Sequence, residues 1–174
     1  ILDQELLEDL EDLCLLNWIH KIDSRSEEQR YQMPVLINSF AALNLDVQTN
    51  NQLQIKHAAH YRTIKTIAQR KSAQYRLNYW DLVRQDQENL IAAIHHGKTS
   101  DAMECYIIMT DLIEQTGPIS TSLNLVDILL NNRQDLPPEN RVTLLNHRGI
   151  YLRILGELDA AKEALQQSIT LQEQ

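Results

Sequence analysis

Only four glycines and four prolines punctuate this chain of 174 residues, and all but Gly149 stand where a helical pattern starts or stops. Gly97 closes one apolar stretch, Gly117-Pro118 another, Leu136-Pro137-Pro138 a third and Gly156 a fourth. Pro34 suits the first position of a helix. Between these stops the apolar residues recur at three-and-four spacing, the signature of one helical face. Leu, Ala, Gln and Glu are abundant and there is a single Phe, which favours helix over sheet. A stack of helices is the fold this punctuation allows.

The chain changes character along its length. Residues 1–16 align Leu2, Leu6, Leu10, Leu13 and Cys14 on one face, with six acids and no base between them. Trp18 to Ile22 and Arg30 to Met33 read as two short strands joined by the polar turn Asp23-Ser24-Arg25-Ser26, a hairpin. Val35 to Leu45 reads as a short helix. Thr49-Asn50-Asn51 supplies capping residues for a break. A longer helix is expected from there to about Lys71, with Ala58, Tyr61, Ile64 and Ala68 on one stripe and an interruption over Ser72 to Tyr75. Another is expected from Asn78 to His96. Helices over Asp101–Gln115, Ser120–Asn132, Arg141–Leu155 and Leu158–Leu171 complete the chain.

Charge and cysteine content exclude several classes. The net charge is −8, which argues against a surface built for polyanions. Cys14 and Cys105 have no framework spacing and sit in apolar helical surroundings, so buried reduced thiols in a cytosolic protein are expected. No apolar run reaches membrane-spanning length, so no membrane partner is expected. The first residue is Ile1, not Met, which suggests a piece of a longer protein.

Gly117 and Gly156 stand 39 residues apart, near the period of helical repeat families. The segment Val142–Leu171 carries a large residue at Leu145, Gly149 four positions on, and Leu152 after it. Gly156-Glu157 follows as a turn, and Ala161, Leu165 and Ser168 complete the second helix. This segment resembles a tetratricopeptide repeat, with Arg148 standing where the family usually has Leu. Gly149 and Ala161 would let two helices approach closely, and Gly156 would take the backbone needed between them. The Asp101–Asn132 pair would be a degenerate copy. The resemblance implies that the inner helix lines a concave face, which makes Asn146, Ile150 and Arg153 candidate partner-binding residues. They do not reproduce the Lys/Asn set that clamps a C-terminal carboxylate, and Ile150 could equally pack on a following repeat. No polar capping helix closes the chain at Gln174, so further repeats are expected beyond it.

Residues 6–45 resemble the winged-helix part of STAND-type signalling ATPases, the bacterial relatives of NB-ARC proteins. In those proteins a helix like LLEDLEDLCLLNWI leads into a wing, and a strand and helix like RYQMPVLINSFAAL follow. Glu88-Asn89-Leu90-Ile91-Ala92-Ala93-Ile94 is similar to the segment that opens many tetratricopeptide sensors of this class. The resemblance implies an all-α chain with one small β-hairpin. Residues 1–48 would be winged-helix-like, 49–97 connecting helices and 98–174 repeats. ATP or ADP would be bound only by an upstream domain. Where the family often has Met-His-Asp, this chain has Met33, Pro34 and Val35. Pro34 has no donor for a phosphate, so Met33 is expected in the core and Pro34 at a helix start.

Other chemistry finds less support. Gly97-Lys98-Thr99 looks like the end of a phosphate loop, but Ala92 replaces the first glycine and no strand precedes it. An inter-helix turn is the expectation. The six histidines form no His-Glu-x-x-His pattern, and packing roles are expected for them. Lys56 to Arg76 holds six bases and no acid. Wound on a helix, those bases fall on both sides of the apolar stripe, as snorkelling stems do, and the acidic first helix could complement them. No nucleophile–base or paired-carboxylate set has motif support, Glu27-Glu28 included, so neither catalysis nor metal binding is expected.

The function expected from sequence is a non-catalytic regulatory and protein-interaction module that binds a protein or peptide, with self-association possible and nucleic acid disfavoured. A DNA-binding winged-helix regulator with a repeat effector domain is the alternative.

Overall fold

The computed structural model describes residues 4–22, 30–75 and 79–173. The chain is mostly helical with one small antiparallel two-stranded sheet. It divides into two compact units, residues 1–50 and 51–174.

The first unit opens with α1 (Gln4–Leu15). Asn17 ends it in the left-handed region, at φ 57°. There the Trp18 amide donates to the Leu13 carbonyl and the Asn17 amide to that of Cys14, the paired bonds of a Schellman ending. β1 (His20–Ile22) then pairs with β2 (Arg30–Gln32), His20 opposite Gln32 and Ile22 opposite Arg30. The expected hairpin is present. Its turn, Asp23 to Ser26, and Glu27-Glu28 lie outside the described residues. Pro34 is the residue before α2 (Val35–Asn44), one position earlier than expected. Met33 is 42% exposed, against its expected place in the core. A hairpin three residue pairs long has too small a face to bury it.

Four expected boundaries differ. Thr49-Asn50-Asn51 is no break: α3 runs from Val47 to Tyr61 straight through it. The capping carboxylate is Asp46, which accepts the Thr49 amide at 2.9 Å and the Thr49 hydroxyl as well. Those bonds hold the Asp46 carboxyl below its ordinary range. The long helix expected to Lys71 is two helices, because the chain breaks at Arg62-Thr63 before α4 (Ile64–Tyr75). There the Thr63 hydroxyl donates to the His60 carbonyl at 2.7 Å, a local competitor of the helical ladder. The Ser72–Tyr75 stretch continues α4 and does not interrupt it. The helix expected over Asn78–His96 likewise splits into α5 (Tyr79–Arg84) and α6 (Gln87–His96). Asp86, only 2% exposed, stands at the break, and its carbonyl accepts the Leu90 amide at 2.9 Å.

α7 (Thr99–Thr116), α8 (Ile119–Asn132), α9 (Pro138–Ile154) and α10 (Leu158–Gln172) complete the second unit. One apolar core joins Leu90 and Ile94 of α6, Tyr106 and Met109 of α7, Leu129 of α8 and Leu144 of α9. Ala58, Ile64 and Ala68, on the stripe expected across α3 and α4, are buried in it too. Gly97 stops α6 in extended backbone, so space and not φ requires it. A Cβ there would fall on the Ala58 methyl and on the Ala93 carbonyl. Arg133 caps the same helix end, its guanidinium donating to the carbonyls of Ile94, His95 and Gly97 at 2.6–3.0 Å.

α9 and α10 form an antiparallel pair, with Val142 near Ser168 at one end and the Gly156 turn at the other. Gly156 has φ +86°, and its neighbours repeat the Schellman bonds, Glu157 amide to Leu152 carbonyl and Gly156 amide to Arg153 carbonyl. No atom would touch an added Cβ there. Gly156→Ala therefore isolates conformational strain and should cost about 1–2 kcal/mol in urea unfolding. A loss near zero would show that the turn relaxes to another backbone.

Candidate protein-interaction site

The residues singled out on the last two helices separate into two faces of α9. Leu145, Gly149 and Leu152 turn toward α10, where Ala161 is buried and Leu165 half-buried. At Gly149 the helices touch so closely that an added Cβ would lie 2.6 Å from Leu165 Cγ and 3.2 Å from the Ala161 carbonyl oxygen. Ser168 closes the pair, its hydroxyl donating to the Val142 carbonyl at 3.2 Å.

Asn146, Ile150 and Arg153 occupy the neighbouring side of α9, about 100° around the helix from the first set and spaced by four and three residues along one line. Asn146 is half-buried, while Ile150 and Arg153 are exposed, Ile150 at 39%. Ile154, 57% exposed, extends the same side. Arg148 lies on a third side, where its Nε donates to Asp127 of α8 at 2.7 Å. That ion pair ties α9 to α8.

α7 lies beside α9, and their contact is polar at its centre. The buried Tyr106 hydroxyl and His147 Nδ1 share a hydrogen bond of 2.7 Å, in which the hydroxyl is the donor when the neutral imidazole carries its proton on Nε2. Burial lowers the His147 pKa, and the nearby Glu114 carboxylate pulls in the opposite direction. Burial also pushes the Tyr106 phenol well above its ordinary value. Thr110 and Tyr151, whose hydroxyls are also buried, both bear on Tyr106. A packing role is what His147 performs here.

The outward strip of α7 consists of Glu104, Ile107, Asp111 and Glu114, at spacings of three, four and three. Lys65 of α4 pairs with Asp111 at 2.8 Å, and Arg62 pairs with the buried Asp101 at 2.9 Å. Two of the six bases between Lys56 and Arg76 are thus matched by acids of α7. Sequence reading passed over Glu104, Ile107 and Glu114. Their three-and-four spacing was a usable signal, hidden because α7 is apolar on nearly every other side.

Several other groups converge on nothing. Gly97-Lys98-Thr99 forms the turn from α6 into α7, where the Thr99 hydroxyl donates to Asp135 at 2.6 Å. Cys105 is buried, and burial pushes its thiol up to about 12, far from nucleophilic use at neutral pH. A shallow depression along α10 passes Asp159, Lys162, Glu163 and Gln166, all from one helix. Among the described residues no three His, Cys, Asp or Glu side chains lie close enough to hold a metal ion. No helix among them is long and apolar enough to cross a membrane.

No family model, curated protein or solved structure matches the chain.

Proposed function

We propose that this chain is a non-catalytic regulatory and protein-interaction module of a STAND-type signalling protein. Its helical repeats bind a protein or peptide partner on the shared face of α7 and α9, and the first fifty residues couple that event to an upstream nucleotide-binding domain. The observation that carries the reading is the division of labour on α9. One side is spent on a glycine-mediated helix pair, and the side next to it carries the half-buried Asn146 and presents Ile150 and Arg153 to solvent beside α7. A helix so divided serves packing and recognition at once.

The first unit supports the coupling half of the reading. α2 has no charged residue, and Leu36, Phe40 and Leu43 lie along one face at 83%, 58% and 85% exposure. An uncharged helix with an open apolar face suits contact with a neighbouring domain. Coupling then needs only a partner that binds the two nucleotide states with different affinity.

The test begins with the reading frame upstream of Ile1. A strand–GxxxxGK[ST]–helix unit is expected there. In the extended protein, exchanging ADP for an ATP analogue should change partner affinity by about tenfold, a coupling of about 1.4 kcal/mol. An initiator Met close before Ile1 with no such unit, or equal affinity in both nucleotide states, defeats the switch.

A further inference from the structure

α7 carries four acids and no Lys or Arg over its 18 residues. Asp101 and Asp111 are matched by Arg62 and Lys65. Glu104 and Glu114 are exposed and have no ion-pair partner among the described residues. Ten residues of helix separate them by about 15 Å. Ile107, 41% exposed, lies between them on the same strip, and Ile150 of α9 lies beyond the Tyr106–His147 contact. Between the two unmatched carboxylates the α7 strip thus holds Ile107 and Asp111, whose charge Lys65 already neutralises, with Ile150 adding apolar surface from α9.

We infer that the α7–α9 face takes an extended peptide segment with a short apolar core flanked on both sides by Lys or Arg, an inference that rests on the interaction-module reading above. Charge complementarity selects the flanks. Two basic side chains would neutralise Glu104 and Glu114, and the chain's net charge of −8 draws a basic segment and repels an acidic one. The spacing selects the conformation. An extended strand covers about 15 Å in four or five residues, so the two bases stand about five positions apart with apolar residues between. Asn146 suits the same geometry, because its side-chain amide makes no hydrogen bond among the described residues and can meet a peptide backbone. Arg153, at the far end of the α9 face, disfavours a further base there.

The test is selection from a displayed library of random peptides about twelve residues long against the full chain near pH 7.5, where His147 is neutral. The Glu104→Lys/Glu114→Lys double variant and Ile150→Asp are selected in parallel. All three side chains are exposed, so circular dichroism should be unchanged. Enriched peptides should carry base–apolar–base spacing, and their affinity should fall at least about tenfold in the double variant and weaken with salt. Peptides that lack bases but lose binding in Ile150→Asp overturn this inference and leave the interaction face standing. Binding that ignores all three substitutions, or no enrichment at all, overturns both.

Discussion

Gly149→Leu should destabilise the chain by about 3 kcal/mol in urea unfolding, the upper range for overpacking a fitted core. An added Cβ alone would meet Leu165 Cγ at 2.6 Å, Leu165 Cδ2 at 2.8 Å and the Ala161 carbonyl oxygen at 3.2 Å. The first two are branch atoms that can move only by turning the whole side chain, and the third is backbone. Gly149→Ala should cost less, about 1 kcal/mol net, because alanine recovers helix propensity that glycine forgoes. A double-mutant cycle separates clash from generic loss. Leu165→Ala empties the space the new methyl needs, so Gly149→Ala with Leu165→Ala should be more stable than the sum of the single changes by about 1 kcal/mol or more. Strict additivity would mean that the helices part freely at this crossing, and Gly149 would no longer explain the seam.

The same crossing shows why parts of this fold are legible in sequence and others are not. Gly149 and Gly156 can be read because only a missing side chain meets a close approach or a positive φ. The pattern around them therefore names both a helix pair and its turn. The breaks at Arg62-Thr63 and Gln85-Asp86 have no such mark. They are set by local hydrogen bonds, such as Thr63 to His60, and by tertiary ties such as Arg62 to Asp101. Asp46 takes the cap expected of Thr49–Asn51 because a carboxylate three residues before an amide can reach it wherever the helix begins. The candidate site follows the same division. Asn146, Ile150 and Arg153 come from helical spacing on α9, whereas the acidic strip of α7 acquires meaning only when Lys65 and Arg62 are seen to match Asp111 and Asp101 and not Glu104 or Glu114.

Tyr106→Ala should be the most damaging substitution in the α7–α9 contact, at about 3–5 kcal/mol, since it removes a fully buried aromatic side chain. Tyr106→Phe keeps the ring and removes only the hydroxyl that bonds His147, so about 1 kcal/mol is expected from the lost hydrogen bond. The pair also makes stability depend on pH. Burial holds the His147 pKa below the ordinary 6.5, so above that value the folded and unfolded chains both carry neutral imidazole and stability is complete. As pH falls below 6.5 the unfolded chain takes up the proton first, and stability declines until the folded pKa is passed. His57 and His96 are lowered chiefly by burial as well and add to the same decline. His147→Gln can keep an acceptor for Tyr106 and should flatten part of the acid limb. Glu114→Gln should steepen it, because removing the carboxylate lowers the imidazole pKa further. Urea midpoints at several pH values, with His147 followed by NMR, read both effects. A His147 pKa above 6.5, or an acid limb that Glu114→Gln makes shallower, would require an imidazolium stabilised in the folded chain. Its Nδ1 would then donate, and the Tyr106 hydroxyl would be the acceptor in the bond that joins α7 to α9.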